Sequence, residues 1–290
     1  MKIQTYSIIA GTDACNAQCP YCVSKMTPDL GVADRKPGDV NWRNFEVGVR
    51  FAQNAGVSTA LITGKGEPTL FPEQITAYLE KLQNRFPFIE LQTNGIALWQ
   101  KHSELEETLK RWYGLGLTTV AVSAVHYDNE RNKEIFQPHG KYMDLPDLIE
   151  KLHTTGYSVR LSTVLLKGYI DDVGGIEKLV DFAQEYRVEQ LTVRPVTRPQ
   201  TGRDNGVVDY VDRHILSDDR VEEIRRFLDE KGTSIMSLVH GAVIYDFKGQ
   251  NICLTNALTI EPKSEEVRQL IFFPDGHLRY DWQYMGAILL

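Results

Sequence analysis

The sequence predicts an α/β protein: an open, partial (β/α)6 parallel barrel over residues 1–200, followed by a C-terminal α+β extension over residues 201–290. The first observation is that short apolar segments alternate with amphipathic segments of helical period, six times in succession. Apolar strands separated by helices favour parallel pairing through right-handed crossovers. The second observation is that six such units are too few for a complete eightfold barrel.

Each element of this barrel has its own signal in the sequence. Five helices are predicted between the strands, and Gly56 ends the first, Pro72 stands in the first turn of the second, and Ser103 is the expected cap of the third. The predicted strands cover 3–10, 57–63, 88–93, 118–124, 157–166 and 189–196. The predicted helices cover 41–56, 72–86, 103–116, 145–156 and 175–186.

The extension begins with a segment that is rich in turn-forming residues. Residues 197–213 contain Pro, Gly, Asn and Asp and are predicted to be a connection. A helix follows over 217–232, with Ser217 as its cap and acidic residues in its first turn. The remainder is predicted to form short strands with turns at "KGQN" and "PDGH". We expect these hairpins to cap the open barrel and to help build a substrate pocket.

Composition limits the possible partners and location of the protein. The net charge is -7 at pH 7, which argues against broad attraction to nucleic acid or to an anionic membrane. No apolar run approaches the ~20 residues that cross a bilayer. The apolar stretch at the N-terminus is too short for a signal peptide. We therefore expect a cytoplasmic protein, in which thiols stay reduced.

Three of the four cysteines fall within "CNAQCPYC", as Cys15, Cys19 and Cys22. In a reducing compartment such a group favours metal binding or catalysis over disulfides. Three thiolates can hold three irons of a 4Fe-4S cluster, which usually takes four cysteines. The fourth iron would then offer an open coordination position, as catalytic zinc sites do, for a ligand that is bound and then cleaved.

Polar or glycine-rich features also follow the later predicted strands. "TGKGEP" and "TNG" follow the second and third strands, and the later strands carry Ser123 with His126, Arg160 with Ser162, and Arg194 with Val196. Ligands of parallel α/β sheets bind at the carboxyl ends of the strands. The sequence therefore predicts a site at this rim.

These motifs resemble those of the radical S-adenosylmethionine (radical SAM) superfamily over roughly the first 200 residues. The pattern C-x3-C-x2-C, with Tyr21 before the last cysteine, resembles the superfamily signature. "GKGEP" resembles its Gly-Gly-Glu-Pro motif, with Lys65 in place of the second glycine and Gly66 following. "VRLSTVLLKG" resembles the fifth strand of the branch that includes the molybdopterin-biosynthesis cyclase.

The resemblance implies one 4Fe-4S cluster on the three cysteines and S-adenosylmethionine beside it. Tyr21 would lie near the adenine, Glu67 would meet the methionine amino group, and Arg160 would hold the methionine carboxylate. Further cofactor contacts are implied for Gly64, Gly66, Thr93, Asn94, Ser123, Ser162 and Val196.

The chemistry implied by the resemblance is reductive. A donor such as flavodoxin or ferredoxin would pass one electron to the cluster, and S-adenosylmethionine would be cleaved to methionine and a 5′-deoxyadenosyl radical. That radical would take a hydrogen atom from a small-molecule or peptide-derived substrate, while the protein positions and shields the reaction. The competing interpretation is a zinc site or an electron-transfer module without catalysis, either of which needs a fourth ligand nearby.

The segment "LIFFPDGHLRYDW" resembles a hairpin of auxiliary-cluster, peptide-modifying members of the superfamily. Auxiliary clusters need several cysteines, and Cys253 is the only cysteine in residues 201–290, so we expect no auxiliary cluster. A lone cysteine in an apolar strand commonly packs as a small hydrophobe. Alternation, however, places Cys253 on the opposite face from Ile252 and Leu254. If Cys253 faces the pocket, its S–H could return a hydrogen and yield an epimer; rearrangement, dehydrogenation and cross-linking stay open.

Arg194, Arg198, Arg203 and Arg213 form a loose basic series near the end of the sixth predicted strand. Nearby acids favour a solvated connection. The alternative is a contact for an anionic substrate group at the barrel mouth.

Overall fold

The computed structural model describes residues 2–36, 38–199, 204–256, 258 and 266–290. Within these residues the chain forms one sheet of eleven strands, with ten α-helices around it and two 3-10 turns at Pro68–Leu70 and Val239–Gly241. The strands are β1 Lys2–Ile9, β2 Thr59–Thr63, β3 Phe88–Thr93, β4 Leu117–Ala124, β5 Ser158–Leu165, β6 Gln190–Pro195, β7 Thr233–Ser237, β8 Val243–Phe247, β9 Gln250–Leu254, β10 Glu266–Phe272 and β11 Leu278–Arg279. The helices are α1 Val23–Met26, α2 Trp42–Asn54, α3 Pro72–Leu82, α4 Ile96–Gln100, α5 His102–Gly114, α6 Asn129–Phe136, α7 Leu145–Thr155, α8 Val173–Glu185, α9 Asn205–His214 and α10 Asp218–Lys231.

The first six strands pair in parallel and in chain order, which confirms the predicted partial (β/α)6 barrel. Their apolar side chains are buried because helices cover the outer face of the sheet. Ile8, Ile62 and Leu91 are fully enclosed in this core. The alternate, polar side chains of the same strands point into the interior of the curved sheet, where the site described below is found.

The C-terminal strands lengthen this sheet at both of its edges. Strand β9 pairs in parallel with β6, and β10 pairs in parallel with β1. The predicted turn at "KGQN" is confirmed as a β8–β9 hairpin, in which Lys248 and Gly249 adopt φ of 54° and 80°. Two successive residues with positive φ are the conformation that suits the twist of a two-residue hairpin. The predicted β10–β11 hairpin is also present.

Helix α2 shows how β10 is held beside β1. The ring of Phe45 lies 5.1 Å from that of Phe272 on β10 and 5.4 Å from that of Tyr78 on α3. Aromatic pairs at this separation add about 0.5–1.5 kcal/mol to the free energy from area burial. Strand β10, which comes late in the chain, is therefore fixed by the first large helix.

Two local predictions were wrong. Residues 205–214 form helix α9 instead of a connection, because Asp204 caps it at the backbone N of Val207 (3.2 Å) and its valines give it an apolar face. Ser103 is not a cap, because α5 begins one residue earlier, after Lys101. The cap at Ser217 is confirmed, since its hydroxyl accepts from the backbone N of Arg220 at 3.4 Å. No helix in the described part of the chain has the length and apolar character that a membrane span requires.

Candidate active site

Strands from both edges of the sheet surround one cavity of about 550 Å³. This volume lies within the range of small-molecule sites, which measure roughly 300–1,000 Å³. Residues 21–27, at the end of the cysteine loop, contribute Tyr21, Val23, Ser24 and Thr27 to its wall. Of the residues predicted for the site, those that line the cavity are Tyr21, Gly64, Ser123, Arg160, Val196 and Cys253.

Backbone hydrogen bonds anchor the cysteine loop to two neighbouring segments. Gly66 and Glu67, after β2, donate from their backbone N atoms to the carbonyls of Thr12 (3.1 Å) and Ala14 (2.9 Å). On the other side, the backbone N of Gln18 donates to the carbonyl of Phe136, at the end of α6, at 2.9 Å. The loop therefore has a fixed path between the second and fourth strands of the barrel.

Gly66 is required by this close approach of two backbones. A Cβ at position 66 would lie 2.1 Å from the carbonyl oxygen of Ala14, a distance that no side chain tolerates. Lys65, which stands where the family motif has glycine, is free of the strain that a positive φ would bring. Its buried Nζ donates to the Thr27 hydroxyl at 2.6 Å and so connects the β2 loop to the segment after α1.

The three thiols of the loop are partly buried and influence one another. Burial raises the pKa of the Cys15 thiol and of the Cys19 thiol, and the neighbouring Cys22 raises both further. Asn94 Nδ2 donates to the Sγ of Cys15 at 3.8 Å, and the Cys19 thiol donates to the carbonyl of Phe136 at 3.8 Å. Hydrogen bonds to sulfur are among the contacts that tune the potentials of iron–sulfur clusters.

The donor set fits a cluster better than a single ion. In the described part of the chain, no three His, Cys, Asp or Glu side chains are arranged so that they could hold one metal ion. The thiols of a 4Fe-4S cluster bind different irons, so they need not converge on one point. Three cysteines in one anchored loop beside the cavity are compatible with that requirement.

Glu67, Thr93 and Asn94 form a buried network next to the cysteine loop. The Glu67 carboxylate accepts from the hydroxyls of Thr69 and Thr93 at 2.6 Å each, and from the backbone N atoms of Thr69 (3.0 Å) and Asn94 (2.8 Å). Three of these donors share Oε1, and among the described contacts Oε2 accepts only from the backbone N of Asn94, so Oε2 keeps capacity for a further donor. The described contacts of Glu67 therefore fasten β2 to β3, and its contact with a methionine amino group stays a prediction.

The arginines and serines of the rim interact across strands. Ser123 and Ser162 are paired in register on β4 and β5, and the Arg194 guanidinium donates to the Ser162 hydroxyl. Arg160 forms a partly buried ion pair with Glu90 of β3. The structure thus gives Arg160 a protein carboxylate, whereas the sequence predicts a methionine carboxylate as its partner.

Only one member of the predicted basic series lines the cavity within the described residues, and it is Arg194. Arg198 pairs with Asp212 at 2.9 Å on the surface, and Arg213 donates to the carbonyl of Asp209 at 3.1 Å. Both contacts are exposed, as expected for a solvated segment, although Arg213 stands in helix α9 and not in a connection. Arg203 lies outside the described residues.

Cys253 lies in the wall of the cavity, while Ile252 and Leu254 are buried in the core on the opposite face of β9. Burial raises the pKa of the Cys253 thiol, and the charges of Arg160, Arg268 and Arg194 only partly offset this effect. The thiol is therefore protonated at neutral pH, with an S–H bond inside the cavity.

Sequence reasoning missed Glu90, Gln92 and Arg268, whose side chains form part of the site. Each stands inside an apolar strand, "FIELQT" or "VRQLIFF", at alternate positions. A charge within an apolar strand is a usable signal, because it must face an interior polar group or cavity. His126 lies just past β4 with its ring tilted against that of Tyr127, at a centroid separation of 4.0 Å, and neither residue lines the described cavity.

The family model described as the radical SAM superfamily matches residues 9–183. The chain therefore belongs to the radical SAM superfamily. This match ends before β9 and β10, so Cys253 and Arg268 lie beyond the part of the chain that it covers.

Curated relatives include enzymes named GTP 3′,8-cyclase. The one from Staphylococcus carnosus (strain TM300) is 28% identical over 198 residues, which cover 67% of this chain and 54% of the cyclase. The one from Staphylococcus haemolyticus (strain JCSC1435) is 30% identical over 203 residues, which cover 68% and 55%. The chain thus spans little more than half the length of these cyclases.

Solved structures of similar fold include one that is bound to S-adenosylmethionine. Streptococcus suis SuiB bound to S-adenosylmethionine aligns with a TM-score of 0.60 at 14% identity, over 96% of this chain and 60% of SuiB. Methylornithine synthase (PylB) aligns with a TM-score of 0.55 at 15% identity, over 90% of this chain and 74% of that protein. At these identities the likeness concerns the fold.

Proposed function

We propose that this chain binds one 4Fe-4S cluster and S-adenosylmethionine at the rim of the barrel and transforms a small-molecule or peptide-derived substrate in the cavity. We further propose that Cys253 returns a hydrogen atom to the substrate, so that the product is an epimer. The observation that carries the proposal is that the cysteine loop and the Cys253 thiol adjoin the same cavity of about 550 Å³.

Cys15, Cys19 and Cys22 would hold the cluster, and Tyr21, Gly64, Ser123 and Val196 line the space beside it. When bound, the cluster and S-adenosylmethionine supply a 5′-deoxyadenosyl radical that takes a hydrogen atom from the substrate. Gly66, Glu67, Thr93 and Asn94 hold the cysteine loop and its neighbouring strands in place through their hydrogen bonds and packing, and would also contact the methionine part of S-adenosylmethionine. A flavodoxin or ferredoxin is the proposed electron donor.

Cys253 completes the proposed reaction from the wall of the cavity. Its S–H bond breaks, a C–H bond forms on the substrate carbon, and a sulfur-centred radical remains on Cys253. One electron from the flavodoxin or ferredoxin and one proton from solvent restore the thiol. The raised pKa of Cys253 supports this role, because a thiolate has no hydrogen atom to give.

The test of the Cys253 step uses Cys253→Ala and Cys253→Ser in deuterated water. The serine variant keeps the approximate size and polarity of the side chain, but its O–H bond is too strong to donate a hydrogen atom. We expect both variants to release 5′-deoxyadenosine and consume substrate, while losing the epimer that carries solvent deuterium at the inverted carbon. Unchanged epimer formation by either variant would assign Cys253 to packing and leave rearrangement, dehydrogenation or cross-linking.

A second candidate is a rearrangement of GTP, which the names of the curated relatives favour. The experiment incubates the reconstituted protein with GTP, S-adenosylmethionine and dithionite, and follows GTP and 5′-deoxyadenosine together. Consumption of GTP in proportion to 5′-deoxyadenosine would establish this candidate and remove the hydrogen-donor role of Cys253. Under the epimerase proposal, GTP remains unchanged.

A further inference from the structure

Three arginines from three different strands line the cavity near Cys253. They are Arg160 on β5, Arg194 on β6 and Arg268 on β10. The positive charge of Arg160 is compensated by its ion pair with Glu90. The other two, here called the arginine pair, form no salt bridge with a carboxylate among the described residues.

Arg194 has hydrogen-bonding capacity that the described protein leaves unused. One terminal nitrogen donates to Ser162, while its Nε is buried and has no hydrogen-bond partner among the described residues. Burial, followed by repulsion from Arg160 and Arg268, lowers the pKa of Arg194 to about 10. Buried cations of this kind are costly unless an anion compensates them.

Arg268 approaches the same region from the opposite edge of the sheet. Its Nη2 donates to the carbonyl of Asn256 at 2.7 Å, a neutral acceptor. Asp281 attracts the Arg268 charge electrostatically without a salt bridge among the described residues. Burial raises the pKa of the Asp281 carboxyl. The charge of Arg268 is thus also available to a ligand.

We propose that Arg194 and Arg268 bind an oxyanion of the substrate, a carboxylate or a phosphate, beside the Cys253 thiol. Guanidinium groups bind such oxyanions through parallel hydrogen bonds, and two of them from separate strands also fix the orientation of the ligand. This inference rests on the proposed function and deepens it, because the anion would orient the substrate in the cavity that Cys253 lines. Arg194 and Arg268 both lie beyond residues 9–183, the part of the chain that the family model matches.

The experiment measures the thermal stability of the reconstituted protein at saturating S-adenosylmethionine and constant ionic strength. Sodium phosphate and sodium acetate are titrated separately, with sodium chloride as the reference salt. Variants are Arg268→Gln, Arg268→Lys and Arg194→Gln, and Arg220→Gln on the exposed face of α10 is the matched control. S-adenosylmethionine affinity and 5′-deoxyadenosine release are measured on every variant.

We expect phosphate, acetate or both to stabilise the wild type and the Arg220→Gln control in a saturable manner. The probe that binds more tightly identifies the anion. Apparent anion affinity should fall about tenfold or more in Arg268→Gln and Arg194→Gln, and less in Arg268→Lys, with the affinity for S-adenosylmethionine unchanged in the two Arg268 variants.

Two results would overturn the inference. One is stabilisation by neither anion beyond chloride; the other is competition of the anion with S-adenosylmethionine, which would assign the arginine pair to the cofactor. If the wild type releases 5′-deoxyadenosine but no anion binds, the anion site fails and the radical chemistry stands. If anions bind and no 5′-deoxyadenosine forms, the radical chemistry fails and the anion site stands.

Discussion

The six parallel strands β1–β6 and the C-terminal strands β7–β11 contribute to the site in different ways. In the first region the chemistry lies largely in loops after strand ends, such as the cysteine loop and "GKGEP". In the second region it lies inside strands, as Cys253 on β9 and Arg268 on β10. Loop motifs are visible in a sequence, whereas a residue inside a strand becomes part of a site only when its strand finds its neighbours.

The largest expected effect comes from the cysteine loop. Cys15→Ala, Cys19→Ala and Cys22→Ala should each lose most of the iron bound by the reconstituted protein and all measurable 5′-deoxyadenosine release. Cys253→Ala is the control and should keep about four irons per chain, the content of one 4Fe-4S cluster. Iron analysis and absorption spectroscopy check this. A wild type with clearly more than about four irons would contradict the expectation of no auxiliary cluster.

Gly66→Ala tests how tightly the β2 loop holds the cysteine loop. Its Cβ would clash with the Ala14 carbonyl, so we expect a loss of about 1–3 kcal/mol in the free energy of unfolding together with reduced iron content. Gly114→Ala, at the end of α5, meets no atom within 4 Å and should be neutral or slightly stabilising. Urea unfolding of both variants measures the difference. Equal stability of the two would show that the loops are not in close contact.

Glu67→Gln addresses the network that fastens β2 to β3. Glutamine places an amide N–H against donors such as the backbone N of Asn94, which leaves a buried donor unsatisfied. We expect a loss of about 1–3 kcal/mol in the free energy of unfolding. The control Glu73→Gln, in the exposed first turn of α3, should change the free energy of unfolding by ~0.5 kcal/mol at most. A Glu67→Gln protein as stable as this control would refute the network.

The smallest expected effect compares two serines near helix starts. Ser217→Ala removes the cap of α10 and should cost about 0.5–1 kcal/mol of stability. Ser103→Ala, inside α5, removes no cap and should be neutral or slightly favourable, since alanine has the higher helix propensity. Thermal unfolding compares the two, and a larger loss for Ser103→Ala would contradict the observed start of α5.

The sequence is sufficient for the parallel barrel because the alternation of apolar strands and amphipathic helices is regular there. Strand β3 begins and ends where the pattern predicts, at Phe88 and Thr93. Helix α9 escaped prediction because its cap, Asp204, and its valines lie in a segment otherwise rich in turn formers. The parallel pairing of β10 with β1 is a contact between distant parts of the chain, which local periodicity does not encode.

For the site, motifs predict residues near the cysteine loop better than those deeper in the cavity. Tyr21, Gly64 and Ser123 line the cavity as their positions at strand ends suggest. The Arg160–Glu90 ion pair joins two strands that are not neighbours in the sheet, so it follows from the curvature of the barrel. Arg268 reaches the cavity only because β10 adds to the edge of β1.

The central claim is that the cysteine loop supports reductive cleavage of S-adenosylmethionine. The most direct measurement is mass spectrometry of 5′-deoxyadenosine released by anaerobically reconstituted protein with dithionite, with the metal content determined on the same sample. We predict a brown protein with about four irons per chain that releases 5′-deoxyadenosine, and a Cys22→Ala variant that does not. A colourless protein that holds one zinc ion and releases no 5′-deoxyadenosine would contradict the account.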